Sequence, residues 1–249
     1  MSALGLSCLI FMLALAGILL GALLRRMLPE HHLSKESQDV VRLGVGLIGT
    51  IAALVLGLLI AAAKSSFDTQ STQIKQITAD VILLDNLLAD YGPAARPIRE
   101  QIRAIIGPFA DQLWREKQAA ATGRFESNTA AEKVYLEIQA LSPQTDLQRS
   151  LQSRAAQIST DVARTRLLLF VEKDTLIPVP FLAILVFWLV LIFTSYSLFA
   201  GLNPTVFTCL ALFAFSASCA IYLILELSQP FTGLMMLSSA PLQNALAPL

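Results

Sequence analysis

The stretch LGVGLIGTIAALVLGLLIAAA occupies residues 43–63 and contains no Lys, Arg, Asp or Glu. Residues 1–24 and 175–225 also lack these four residue types. A helix needs about 20 apolar residues to cross the hydrocarbon core of a bilayer, because each residue adds about 1.5 Å. The two shorter stretches therefore predict one membrane-spanning helix each, and the longer one predicts two. The composition agrees, since 55% of residues are apolar and 14% are charged, whereas soluble domains carry about 25% charged residues.

The sequence predicts an all-α membrane protein with four transmembrane helices in two pairs. The last two spans are separated only by Gly201-Leu202-Asn203-Pro204, where Asn203 suits the N-cap and Pro204 the first helical position. Such a short connection predicts that these two helices are antiparallel neighbours. The expected spans are about residues 4–24, 43–63, 178–199 and 205–225, within a first pair over 1–63, a second pair over 175–226 and a C-terminal tail over 227–249.

Residues 64–174 differ in character and predict a soluble helical bundle inserted between the second and third spans. This segment holds 14 of the 18 basic and 14 of the 18 acidic residues, so it carries no net charge. A neutral segment gives no support for nucleic-acid binding. Its apolar residues recur at steps of three and four, which is the pattern of helices that pack on one another.

Four helices account for this bundle. The first continues from the second span without interruption and ends at Tyr91-Gly92-Pro93. Thr129 and Glu132 form a capping-box pattern that opens the third helix, and Pro143 is expected to start the fourth. The predicted buried stripes are Ile74, Ile77, Val81, Leu84, Leu88 and Tyr91; Ile98, Ile102, Ile105, Ile106, Phe109 and Leu113; Val134, Leu136 and Ile138; and Leu147, Leu151, Ala155, Ile158 and Val162.

Small residues recur at a spacing of four on the first two spans. This spacing lets another helix backbone approach closely. We expect these positions to pack helices tightly, within one chain or between the copies of a homo-oligomer, and a narrow pore lined by the small residues is the alternative. The positions are Gly17 and Gly21 on the first span and Gly49, Ala53, Gly57 and Ala61 on the second.

Ionisable side chains inside a membrane usually serve a function, because they are costly to bury there. The spans offer one such candidate, Glu226 at the end of the fourth, for which a position facing headgroups or water is preferred over a pore or gating role. Thr194, Thr205 and Thr208 are polar candidates near one mouth of a pore, with hydrogen bonding to their own helix as the alternative. The lack of carboxylates and histidines near the midplane argues against proton-coupled transport.

Motifs of catalysis and metal binding are missing from the sequence. The only histidines, His31 and His32, are adjacent, so neither a spaced metal-binding pair nor a distant catalytic histidine is available. Glu30 and His32 have no further ligands for a metal site. Glycines 44 and 46 lie in a span and form no phosphate loop. We therefore predict no enzyme activity, no catalytic or metal site and no cofactor.

Six motifs are spread along the chain. They are Leu28-Pro29-Glu30-His31-His32-Leu33, Asp39-Val40-Val41-Arg42-Leu43-Gly44 running into Ala52-Ala53-Leu54-Val55-Leu56-Gly57-Leu58-Leu59-Ile60-Ala61, Ala63-Lys64-Ser65-Ser66-Phe67-Asp68, Tyr91-Gly92-Pro93, Phe187-Trp188 and Leu225-Glu226-Leu227-Ser228-Gln229-Pro230-Phe231-Thr232-Gly233-Leu234. Together they resemble the DUF4239 family of bacterial integral membrane proteins, which have a bestrophin-like domain. The resemblance implies a multi-pass protein of the bacterial inner membrane, related to bestrophins, which are pentameric anion channels with four spans and a cytosolic helical domain.

The side of the membrane that holds the helical domain is left open. Arg25, Arg26, Lys35 and Arg42 surround the first short loop, and the positive-inside rule places that loop in the cytoplasm and the domain outside. The bestrophin-like architecture implies the reverse. Two functions are carried forward: an oligomeric channel for small ions, and a membrane-anchored sensor or scaffold whose helical domain binds a ligand or partner.

Overall fold

The structure is a computed structural model, and the regular secondary structure of the residues that it describes is entirely helical, with no strand among them. The helices are α1 (Ala3–Met27), α2 (Lys35–Tyr91), α3 (Arg96–Gln118), α4 (Thr129–Gln139), α5 (Asp146–Val171), α6 (Val179–Ala200), α7 (Pro204–Leu227) and α8 (Ala240–Gln243). The structure describes residues 3–29, 34–118, 129–171, 179–200, 203–231 and 233–246.

Four of these helices, α1, α2, α6 and α7, are long and apolar enough to cross a membrane. This confirms the predicted number of membrane-length helices. With 57 residues, α2 is about 85 Å long, whereas the hydrocarbon core is about 30 Å thick. The prediction that one helix continues beyond the second span is therefore confirmed.

The end of α2 also agrees with the sequence. Gly92 follows the last helical residue with φ of 109°, a conformation that glycine adopts without steric cost and that commonly ends a helix. The side-chain amide of Gln148 donates a hydrogen bond of 3.1 Å from Nε2 to the carbonyl oxygen of Tyr91. A carbonyl that has no partner inside the helix is satisfied in this way.

Contacts divide the chain into two compact units. We call residues 1–67 with 176–229 the membrane unit, and residues 68–175 with 230–249 the helical domain. Within the membrane unit, α1 packs against both α6 and α7. Ile18 of α1 is fully buried in a cluster with Phe193 of α6 and Ala214 of α7.

The core of the helical domain contains most of the predicted stripes. Ile77 and Leu88 of α2 and Ile138 of α4 are at most 1% exposed and belong to one cluster. The prediction that Leu136 is buried is wrong, since it is 60% exposed. It lies two residues from both Val134 and Ile138, and on a helix this offset points a side chain to the opposite face.

The predicted start of the fourth bundle helix is also wrong. The helix α5 begins at Asp146 rather than at Pro143, because the Thr145 hydroxyl accepts a hydrogen bond of 3.1 Å from the Gln148 amide. This contact is a side-chain N-cap. Leu147 consequently falls in the exposed first turn, where it is 69% exposed instead of buried.

The C-terminal residues belong to the helical domain and pack on α3. The Trp114 indole Nε1 donates a hydrogen bond of 3.0 Å to the Leu237 carbonyl, and its ring makes an edge contact with Phe231 at 5.5 Å between centroids. Leu242 is fully buried. The tail is therefore part of the domain core, which its sequence pattern did not indicate.

Candidate functional site

The membrane-length part of α2 presents three different faces. A helix turns by about 100° per residue, so positions 45, 52, 59 and 63 lie within about 40° of one another. These residues, Val45, Ala52, Leu59 and Ala63, are all buried within the protomer. Ala52, Leu59 and Ala63 join a cluster with α6 and α7. This face attaches α2 to the rest of the membrane unit.

A second face of α2 is open and is made mainly of small residues, with Ile60 as an exposed large side chain among them. Gly46, Ala53, Gly57 and Ala61 are exposed, and Gly49 is half-buried. A Cβ atom added to Gly46, Gly49 or Gly57 would have no described atom outside the local helix within 4 Å. We call these five residues the small-residue face. Within the protomer, no tight packing of its glycines is seen among the described residues.

The third face of α2 is made of large aliphatic residues. Leu43, Leu47, Leu54 and Leu58 are between 64% and 76% exposed. Large apolar side chains of this kind are suited to lipid tails, whereas glycine and alanine leave room for another helix to approach closely. The two exposed faces of α2 therefore suit different surroundings.

A positive charge follows the small-residue face along the helix. Position 64 is 18 residues from position 46 and has nearly the same angular position, since 18 residues make about five full turns. The Lys64 ammonium lies 5.5 Å from the centroid of the Phe67 ring, a cation–π geometry. The small-residue face thus leads to a lysine at the C-terminal end of the apolar stretch.

The glycine pair of α1 packs against α6. A Cβ atom on Gly21 would contact the Thr194 carbonyl oxygen and would lie 2.9 Å from the Ser197 Cβ. Gly17 is less tightly enclosed, with the Thr194 hydroxyl and the Val190 carbonyl each at 3.1 Å. The small-residue pattern of α1 thus has its partner within the protomer, while that of α2 faces outward.

Two contacts hold α1 and α6 at this close approach. The fully buried Ser197 hydroxyl donates a hydrogen bond of 2.6 Å to the Ile18 carbonyl. The Arg25 guanidinium donates one of 2.9 Å to the Phe199 carbonyl near the C-terminus of α6, where a cation also interacts favourably with the helix dipole. Arg25 therefore has a structural role besides its contribution to loop charge.

The three threonine candidates differ in their surroundings. Thr194 donates to the Val190 carbonyl at 2.7 Å, and Thr208 donates to the Pro204 carbonyl at 2.8 Å. Thr205 is exposed in the first turn of α7. Thr194 and Thr208 therefore hydrogen-bond to carbonyls of their own helices, which was the alternative to a pore role.

Glu226 is buried rather than interfacial. Its exposure is 4%, so the interpretation that it faces headgroups or water is wrong. It lies in the last turn of α7, where the Tyr222 hydroxyl one turn earlier hydrogen-bonds to it. Burial of a carboxylate requires such partners, and a hydroxyl at i−4 of the same helix explains how α7 accommodates it.

Among the described residues, no group of three or more His, Cys, Asp and Glu side chains is placed to hold a metal ion. Glu30, His31 and His32 lie outside the described residues.

Two polar features of the helical domain were not predicted from the sequence. These are a buried cluster of Asp85 with two arginines and a cavity beside Arg166, and both join residues that are distant along the chain.

A family model of the bestrophin-like domain matches residues 11–242. This chain belongs to the bestrophin-like family. With the four apolar helices, membership in this family indicates a membrane protein. None of the curated proteins matches the chain.

The fold of this bestrophin-like protein is shared with a bacterial bestrophin homologue from Klebsiella pneumoniae. Three crystal structures of variants of that homologue are similar to the structure of this chain. The tryptophan-to-alanine variant has a TM-score of 0.70 at 17% identity, covering 98% of this chain and 95% of that one. The leucine-to-threonine variant has a TM-score of 0.67 at 16% identity, covering 96% of this chain and 95% of that one. The isoleucine-to-threonine variant has a TM-score of 0.68 at 17% identity, covering 95% of this chain and 94% of that one.

Proposed function

We propose that this bestrophin-like protein is a homo-oligomeric channel for small anions in which the small-residue faces of α2 from several copies surround a common axis. The observation that carries the proposal is the open small-residue face itself. Small residues on an exposed helix face allow either the close approach of another helix or an open path that side chains do not fill. Association of several copies around an axis would use this face of every α2.

Several finer assignments accompany this proposal. We propose that the protein lies in the bacterial inner membrane as a DUF4239-type member of the family, with its spans in two pairs and the helical domain inserted between the second and third. The role is non-catalytic, because the sequence lacks catalytic motifs. Gly57 and its neighbours would leave backbone and small side chains along the pore, a lining that does not narrow it.

Gly57→Phe is expected to abolish ion flux through the purified protein in liposomes. A phenyl ring from each copy would project from the small-residue face into the axis and close it. Leu58→Phe is the matched control, because it adds a ring at the next position, about 100° away on the leucine face. Chloride flux into liposomes and the size of the oligomer are measured together. Normal flux through Gly57→Phe, or a loss of flux that only follows a loss of assembly, would contradict the pore assignment.

Lys64→Glu is expected to shift the reversal potential in a salt gradient away from the equilibrium potential of chloride and toward that of the cation. A ring of like charges at one mouth of a pore changes the local concentration of permeant ions. Lys133→Glu is the control, since this lysine is exposed on α4 and pairs with Glu137 at 3.7 Å. Planar-bilayer recordings give the potential. An identical reversal potential in both variants would reject Lys64 as part of the conduction path.

The second function, a sensor or scaffold, is favoured by one observation. The helical domain contains a cavity of a size suited to a small molecule, lined by residues of α2, α3, α4 and α5. A ligand that binds differently to two arrangements of these helices would shift the balance between them. Ligand-dependent stabilisation of the full-length protein would support this function, and the chemistry of the cavity indicates which ligands to use.

A further inference from the structure

The helical domain contains a cavity of about 520 Å³ that is partly open to solvent. Its walls are mainly apolar and include Leu84, Ile102, Ile106, Phe109, Val134 and Val162. Well-packed protein interiors have few voids larger than a water molecule. Small-molecule sites occupy about 300–1,000 Å³ and are apolar with a few convergent polar groups. The volume therefore matches a binding site rather than a packing defect.

One wall of the cavity carries a buried cation. Arg166 of α5 lines the cavity and is 5% exposed. Its guanidinium carbon lies 5.6 Å from the centroid of the Phe109 ring, which also lines the cavity. Arginine is rarely buried to this extent. The cavity thus combines an apolar interior with a guanidinium that offers donors in a planar fork.

Side chains with hydroxyl groups also line the cavity. Tyr135 and Thr160 both line the cavity. The Tyr135 hydroxyl accepts a hydrogen bond of 3.3 Å from Gln139, which leaves its own proton to donate. Thr160 donates at 3.0 Å to the Ala156 carbonyl, so its oxygen is still able to accept. Glu132, the acidic residue among the described lining, is exposed.

We propose that this cavity binds a small amphipathic carboxylate. Its apolar body would lie among the α2 and α3 side chains, and its carboxylate would face the Arg166 guanidinium. Arginine and carboxylate are matched in geometry, and hydrogen bonds between ionised groups are about twice as strong as neutral ones. The inference goes beyond the channel proposal and does not depend on it, since it concerns only the interior of the helical domain.

The test uses the full-length protein in lipid nanodiscs, because a detergent is itself amphipathic and competes for the cavity. Phenylbutyrate and phenylbutanol are titrated by calorimetry, with empty nanodiscs as the blank. These probes share an apolar body and differ in the carboxylate. We expect saturable binding, with phenylbutyrate at least about tenfold tighter, because hydrogen bonds to charged groups commonly contribute this factor. The proposal would be overturned if neither phenylbutyrate nor phenylbutanol showed saturable binding.

Two variants locate the site. Ala163→Trp places a large side chain on the wall of the cavity and is expected to abolish binding, whereas Ser153→Trp, at an exposed position of the same helix, is expected to leave it unchanged. Arg166→Met is expected to remove the preference for the carboxylate. Equal binding by the two tryptophan variants would overturn the proposal even if Arg166→Met does not fold. Binding without ion flux would reject the channel alone, and flux without binding would reject the cavity site alone.

Discussion

Gly21→Ala is expected to destabilise the membrane unit strongly and to reduce the yield of folded protein. The added Cβ would contact the Thr194 carbonyl oxygen and lie 2.9 Å from the Ser197 Cβ and 3.1 Å from the Leu198 amide nitrogen. Two of these three atoms are backbone atoms of α6, so the clash cannot be relieved by rotating a side chain. Overpacking of a well-packed core typically costs about 1–3 kcal/mol, and more where the backbone must move.

A graded series of glycine substitutions tests this prediction. Gly17→Ala is expected to have a smaller effect, because the nearest atoms to its added Cβ lie at 3.1 and 3.2 Å and two of the three, Thr194 Oγ1 and Val190 Cγ1, belong to side chains. Gly44→Ala is the control, since a Cβ there meets no described atom within 4 Å, and alanine has the higher helix propensity. Melting temperatures in one membrane mimetic should rank in this order. Equal melting temperatures for Gly21→Ala and Gly44→Ala would contradict the close packing of α1 on α6.

The contrast between the two glycine patterns shows what sequence periodicity can predict. The spacing of Gly17 and Gly21 and that of Gly49, Ala53 and Gly57 predict a groove on each helix, and both grooves exist. The identity of the partner depends on how the helices are placed in three dimensions, which spacing does not encode. The structure gives α6 as the partner of the α1 pair and leaves the α2 face open.

The membrane-length helices were the most predictable part of the fold, because the absence of charges over about 20 residues is a strong local signal. The end of α2 was predictable for the same reason, since glycine and proline act locally at positions 92 and 93. The burial of individual side chains was less predictable. Leu136 and Leu147 are apolar residues in helices, yet their exposure depends on which helix lies opposite and on where α5 begins.

Polar partners across the fold were not predictable from the sequence. Asp85 and Arg99 are 14 residues apart on two different helices, and no local pattern distinguishes them from solvated charges. In the sequence, Arg166 is one of three basic residues between positions 164 and 173, and no local pattern marks it as buried. Burial distinguishes these residues from their neighbours, because a buried charge requires partners that only the folded chain supplies.

Asp85, Arg99 and Arg103 form an ion-pair cluster in the helical domain. Asp85 is 4% exposed. Arg99 binds both its carboxylate oxygens, at 2.9 and 2.8 Å, and Arg103 binds Oδ2 at 3.1 Å. The hydrogen bond from Arg99 lowers the pKa of Asp85 below its ordinary value, against the opposing effect of burial and with further lowering by Arg103. The pair joins α2 to α3 beside the turn at residue 92.

Asp85→Ala is expected to destabilise the helical domain substantially, because it leaves two arginines without their common acceptor. Loss of one partner from a buried pair costs about 3–5 kcal/mol, and the lower end applies here since Arg99 and Arg103 are partly exposed and regain water. Thermal unfolding of the full-length protein, followed by tryptophan fluorescence to which Trp114 contributes, measures the change. Arg96→Ala is the control, because the Arg96–Glu100 pair is largely exposed and such pairs contribute about 0–1 kcal/mol.

The same carboxylate predicts how stability depends on pH. Since the pKa of Asp85 is lower in the folded than in the unfolded chain, where it is about 3.9, the unfolded state binds the proton more readily. The contribution of Asp85 is therefore complete above the unfolded pKa and is lost as the pH falls through the folded pKa. The difference in melting temperature between the native protein and Asp85→Asn should be constant from about pH 7 to pH 5 and should shrink on further acidification. A difference that grows as the pH falls would mean that the carboxylate is held in its protonated form, contrary to its contacts with two guanidinium groups.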